Sequence, residues 1–167
     1  MKKALLLIMF FYSTSSLAHH ADLYKQTELR LYLLKLTIWI ETHSDMNTQN
    51  IPLPNIEILH EDDLCKMAFS DRVAINSQNC SKLQGLYNYV TKVVYIDEDM
   101  SLNSLEGKLV LLHELVHYYQ FEYHYVNDNV HTNNLEDLPK AFEQQYLREC
   151  SVESEQRDSD SLLRGIC

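Results

Sequence analysis

Leu109-Val110-Leu111-Leu112-His113-Glu114-Leu115-Val116-His117-Tyr118-Tyr119-Gln120 is the stretch on which the reading of this chain turns. It is dominated by apolar residues and holds neither glycine nor proline, so it predicts a buried helix. Ser104 can cap that helix, Gly107 is a local weak point near its start, and the pattern carries it to about Phe121. His113 and His117 are four apart, so on a helix both imidazoles leave the same face. Two neutral imidazoles at that spacing suit a tetrahedral zinc ion. Glu114 points aside from the histidine pair, toward a water on the metal rather than the metal itself. Zinc would lower the pKa of that water toward ~7, and the carboxylate would take its proton as general base. The same ion would stabilise charge on an attacked carbonyl oxygen. The flanking apolar residues place the motif in the interior, where a pair of imidazoles and a carboxylate need partners that a metal supplies.

Upstream of this helix lies a hairpin pattern. Gly85-Leu86-Tyr87-Asn88-Tyr89-Val90 leads through Thr91 and Lys92 into Val93-Val94-Tyr95-Ile96-Asp97, both runs rich in aromatic and β-branched residues. Asn55 to His60 alternates as a short strand, residues 61–69 suit a short helix, and 71–83 are polar and irregular. Residues 21–42 carry dense apolar content at helical spacing, and Pro52 and Pro54 break the chain after it. Downstream, 124–137 reads as a loop, Asp137 as a helix N-cap with Pro139 in the first turn, and a last helix runs to at least Cys150. The order predicts an α+β domain: a small, mostly antiparallel sheet packed on an N-terminal helix, the His113–His117 helix and a C-terminal helix.

With 167 residues the chain has room for one domain. Its formal net charge of −10 argues against nucleic acid or an anionic membrane surface as partner. Residues 1–18 read as a secretory signal peptide: Lys2 and Lys3, an apolar run from Ala4 to Tyr12, then Ser13 to Ala18 with small residues before a cleavage point after Ala18. The apolar run is far shorter than the ~20 residues a spanning helix needs, so no stable membrane insertion is expected after cleavage. The mature domain is then 19–167. Its four cysteines suit an oxidising compartment, periplasmic or extracellular, and short loops favour Cys65–Cys80 and Cys150–Cys167 as disulfides. No Cys-x-x-Cys spacing points to a structural zinc site instead. His19, His20, His43 and His60 read as surface residues.

The segment Leu111 to Gln120 resembles the active-site helix of the zincin metallopeptidases, and the chain over roughly 85–150 looks like small exported zincin-like proteins of the gluzincin type. That resemblance implies a zinc cofactor, hydrolysis of a peptide or protein substrate, and an edge strand that pairs with extended substrate, for which Val93 to Asp97 is the natural match. The metzincin pattern does not fit, because Gln120 and Tyr123 stand where glycine and histidine belong. His124 would reach the metal only if the chain turned sharply near Tyr123. In the gluzincin arrangement the third ligand is a glutamate on a later helix, which leaves Glu136, Glu143, Glu149 and Glu153. Pro139, Phe142, Tyr146 and Cys150 form a core-facing stripe, and Glu143 borders it, so the expected ligands are His113, His117 and Glu143, with Glu153 second. Glu136 precedes the helix and Glu149 sits off-centre beside Arg148. Tyr146 is the choice for a transition-state helper, and Gln120 is expected at the rim. The alternative to an enzyme is a binding module on a zincin scaffold, with a structural or vestigial zinc site. Nothing in the sequence sets a cleavage preference or an oligomeric state.

Overall fold

The computed structural model describes residues 26–69, 80, 83–127 and 135–155, with 123–127 and 152–155 described by backbone alone. The expected signal segment, His19, His20, His124's side chain, Glu153's side chain and Cys167 lie outside it. The chain divides into two compact units, Met1–Lys35 and Leu36–Cys167. In the first, 26–35 is helical, with the Lys35 ammonium 5.9 Å from the centre of the Tyr32 ring. The site described below lies in the second.

Among the described residues the architecture is α+β, with four helices and a three-stranded mixed sheet. Helix α1 covers 26–42. Strand β1 (Asn55–Leu59), helix α2 (Glu61–Phe69), strands β2 (Gly85–Asn88) and β3 (Val93–Asp97), and helices α3 (Leu105–Asn127) and α4 (Asp137–Glu155) follow. No described helix is long and apolar enough to cross a membrane.

The sheet order is β1-β3-β2. β2 runs antiparallel to β3, pairing Gly85 with Ile96 and Asn88 with Val93, while β1 runs parallel to β3, pairing Asn55 with Val93 and Leu59 with Asp97. This corrects two expectations. Half of the pairing is parallel, so the sheet is mixed rather than mostly antiparallel. Val93 to Asp97 is also the central strand, not an edge. Its composition explains this: every residue of β3 is buried, as an apolar run covered on both faces must be. Leu64 of α2 packs with Val93 and Tyr95 on one face. Alternation leaves Val94 and Ile96 for the other face, where α3 packs.

The β2–β3 turn is longer than the sequence pattern suggested, four residues (89–92) rather than two. β2 ends at Asn88, whose Oδ1 accepts the N–H groups of Val90 (2.9 Å) and Thr91 (3.1 Å). The Lys92 N–H then donates to the Asn88 carbonyl, and Lys92 takes a left-handed φ of 57° to re-enter the sheet. By capturing the amides of Val90 and Thr91, the Asn88 side chain stops the strand two residues before Val90.

Ser104 caps α3 as expected: its Oγ accepts the Gly107 N–H at 3.0 Å. Gly107 is a packing requirement rather than a weak point, since a Cβ there would lie 2.1 Å from the Ser101 carbonyl oxygen. The helix runs on past Phe121 to Asn127, because nothing between Glu122 and Val126 breaks it. α4 begins one residue earlier than expected: the Lys140 N–H reaches the Glu136 carbonyl, which makes Glu136 the capping position and Asp137 the first helical residue. The expected stripe of Phe142, Tyr146 and Cys150 is buried. Phe142 and Tyr146 meet the Trp39 indole of α1 edge-on at 5.8 and 5.3 Å, while Thr37 and Tyr119 share a hydrogen bond of 2.9 Å. These contacts join the part of α1 after Lys35 to α3 and α4 in one core with Leu111, Leu112, Leu115 and Val116.

The Cys65–Cys80 disulfide forms as expected and ties the middle of α2 to the segment before β2. Cys150 is disulfide-bonded as well; Cys167, the partner expected for it, lies outside the described residues. Cys65 and Cys80 are separated by 15 residues. Closing a loop of that length restricts the unfolded chain by about 3 kcal/mol. Replacing both with serine is therefore expected to lower unfolding free energy by about that much in urea titration; an unchanged midpoint would contradict it.

Candidate metal centre

α3 presents two faces that matter. Leu111, Leu112, Leu115, Val116 and Tyr119 are turned into the core and hold the helix in place. His113 and His117 leave another side together, as their spacing requires, and their rings meet edge-on with centroids 4.7 Å apart. The two Nε2 atoms are 3.0 Å apart. α4 packs on α3 and brings its acidic start to the same place. Glu136 lies across both rings, with one oxygen 3.3 Å from His117 Nε2 and the other 3.4 Å from His113 Nε2. The Lys140 ammonium stands 3.6 Å from the same carboxylate, one turn further along α4. His113, His117 and Glu136 are the described group of donors close enough together to hold a metal ion.

The donors fit zinc in number, type and spacing. Zinc in a catalytic site takes three protein ligands, usually imidazole nitrogen and carboxylate oxygen, and bonds of ~2.0–2.1 Å to a tetrahedral centre put neighbouring donors roughly 3.3 Å apart. The imidazole nitrogens are 3.0 Å apart and each lies 3.3 or 3.4 Å from a different oxygen of Glu136, close to that value. Burial lowers the His117 pKa, and neighbouring His113 lowers it further, against the opposing pull of Glu136 and Gln120. The neutral imidazole this favours is the form that binds metal.

Glu143, the expected third ligand, is placed elsewhere. Its carboxylate lies 2.5 Å from Nδ1 of His113, on the far side of the ring from Glu136. A carboxylate on the second ring nitrogen fixes the tautomer and aims the other nitrogen, which is the usual support for a histidine that binds metal. Glu136 and Glu143 are seven residues apart, close to two helical turns, so both look toward α3 while meeting His113 on opposite edges. Gln120 is not at a rim: it is 1% exposed. Glu149 is committed to another cluster, accepting the Trp39 indole N–H at 2.7 Å and lying 3.0 Å from His43 Nε2. His43, stacked on Trp39 at 4.2 Å, is thus part of the α1–α4 contact rather than a surface residue, whereas His60 is exposed as expected. Tyr146 is buried against Trp39 and serves the core. The helix continues through residue 124, so the sharp turn that His124 would need is absent.

Glu114 is held from the sheet side. Its Oε2 accepts the backbone N–H of Tyr87 on β2 at 2.6 Å. Burial pushes its pKa up to about 7, with His113 and the Tyr87 N–H pulling down and Glu136 and Glu143 pushing up. β2 approaches α3 closely enough for this because residue 85 is glycine: a Cβ there would meet Val110 Cγ1 at 2.7 Å and Glu114 Cγ at 2.9 Å. Gly85→Ala is expected to cost about 1–3 kcal/mol through overpacking, measurable as a lower thermal midpoint. An unchanged midpoint would show that β2 shifts freely. The partners of Glu114 carry little signal in the sequence, since one is a backbone N–H and the other a missing side chain.

Fold and site together define an α+β protein with a His-His-Glu cluster and a buried carboxylate beside it. The chain belongs to the DUF6647 family, a domain of unknown function, which covers residues 25–155 and so contains every residue of the site. No curated protein and no solved structure matches the chain.

Proposed function

We propose that this protein is an exported zinc metallopeptidase of the gluzincin type, in which His113, His117 and Glu136 hold the metal, Glu114 is the general base and Glu143 positions His113. The observation that carries the reading is the convergence of three donors from two helices at zinc spacing, with a buried carboxylate one residue from the first. When bound, zinc supplies Lewis acidity, making a water acidic near neutral pH and stabilising charge on a carbonyl oxygen. The chain's own residues supply the rest. Glu114 accepts and later returns the proton, and the Tyr87 N–H fixes which oxygen is free to do so. Glu143 keeps His113 in the tautomer that offers Nε2. A purely structural zinc site has no use for a buried carboxylate beside its ligands, which favours catalysis over a binding module. The Cys65–Cys80 disulfide supports an oxidising compartment and hence export.

Zinc titration of three proteins tests the assignment of the two glutamates. Glu136→Ala is expected to lose tight binding, while Glu143→Gln, with a positioning partner weakened, is expected to lose about 10–100-fold in affinity. Cobalt in place of zinc should give the same visible spectrum in wild type and Glu143→Gln and a changed one in Glu136→Ala. The reverse pattern would make Glu143 the ligand.

A further inference from the structure

We infer that Tyr89 and Phe121 form a platform beside the metal centre that receives a bulky apolar side chain of the substrate next to the cleaved bond. This rests on the zinc peptidase reading and names the substrate class for that site.

The helix places Phe121 where such a subsite must be. At about 100° per residue, Phe121 is turned about 40° from His117 and about 20° from Glu114 around α3, and it lies about 6 Å beyond His117 along the axis. It therefore stands between the direction of the metal ligand and that of the base, one turn further on. β2 runs alongside the same face of the helix. Tyr87 gives its N–H to Glu114 and sets its ring 6.2 Å from that of Phe121, so a single residue joins the base to the aromatic group. Tyr89, two residues on, leans over Phe121 with ring centroids 5.9 Å apart and planes tilted by 39°.

Packing between β2 and α3 accounts for Tyr87, which meets Tyr118 at 5.7 Å, but not for Tyr89. Tyr89 is 63% exposed and its neighbour Val90 74%. The turn does not ask for them. Its geometry is set by the Asn88 side chain and by the left-handed Lys92, and turns of this kind favour small polar residues at their centre. An aromatic and a valine at the tip leave apolar surface in water beside the site. That surface is useful when a ligand covers it. A phenyl or branched aliphatic group lying against the exposed Tyr89 ring, which Phe121 backs, would be held by apolar burial and ring stacking.

Hydroxamates of graded side chain test this on the zinc-loaded full chain by calorimetry, without recourse to turnover. Acetohydroxamate reports the metal alone; 3-phenylpropanohydroxamate adds a ring on a short arm. The phenyl compound is expected to bind about tenfold or more tightly than the acetyl one in wild type. In Tyr89→Ser that ratio should fall below about threefold, with acetohydroxamate affinity and zinc affinity unchanged. Equal binding of the two compounds by wild type, or an undiminished ratio in Tyr89→Ser, would overturn the platform while leaving the zinc site standing. Failure of the chain to take up zinc would overturn both.

Discussion

Glu114→Gln is expected to give a folded protein that still takes up zinc and no longer hydrolyses peptide bonds. The substitution changes little else. The glutamine carbonyl can still accept the Tyr87 N–H, and the side chain keeps its volume in the space that Gly85 leaves open. What is lost is the ability to accept a proton. Positioned proton transfer is worth about 10²–10⁴-fold in rate, so cleavage of a peptide library, read by mass spectrometry, should fall by at least that factor. Zinc affinity should change little, because Glu114 is not among the three donors that converge. Cleavage by the variant at the wild-type rate would remove Glu114 from the chemistry. The same result would return the protein to the alternative of a zincin scaffold used for binding.

The second large effect concerns the histidines. His113→Ala and His117→Ala each remove one of the three donors. Zinc that binds only the folded state stabilises it by about 4 kcal/mol when free metal is a thousandfold above Kd. Wild-type protein should therefore melt at a markedly higher temperature with zinc than with a chelator, and the two variants should melt at the same temperature under both conditions. Variants that retain the zinc-dependent rise would place the metal elsewhere. His113→Ala carries a further consequence: it leaves Glu143, 31% exposed, without the ring it faces, so its metal-free form should be less stable than metal-free wild type.

Much of this architecture is written in local sequence. Ser104 caps α3, the Phe142–Tyr146–Cys150 stripe turns α4 inward, and Cys65 and Cys80 join across a short loop, all by rules that involve near neighbours. The spacing of His113 and His117 likewise puts both rings on one face without help from the rest of the fold. What escaped a local reading is non-local. β1 could pair on either side and in either direction, and only the two-sided burial of β3 makes it the centre of a mixed sheet. The carboxylate opposite the histidines depends on where α4 begins and how it lies on α3. A start one residue later than Glu136 leaves that side chain at the capping position, where it spans both rings, and moves Glu143 to the outer nitrogen of His113. Glu114 is steadied by Tyr87 through a backbone group and by Gly85 through an absence, neither of which has a side chain to read.

The central claim is that His113, His117 and Glu136 together hold one zinc ion. Native mass spectrometry of the full chain, purified with its disulfides intact and incubated with a slight excess of zinc, tests it most directly. The expected result is a mass corresponding to one zinc per chain, absent from His113→Ala, His117→Ala and Glu136→Ala and retained in Glu114→Gln. A metal-free mass for the wild type, or a bound zinc that survives all three ligand substitutions, would contradict it.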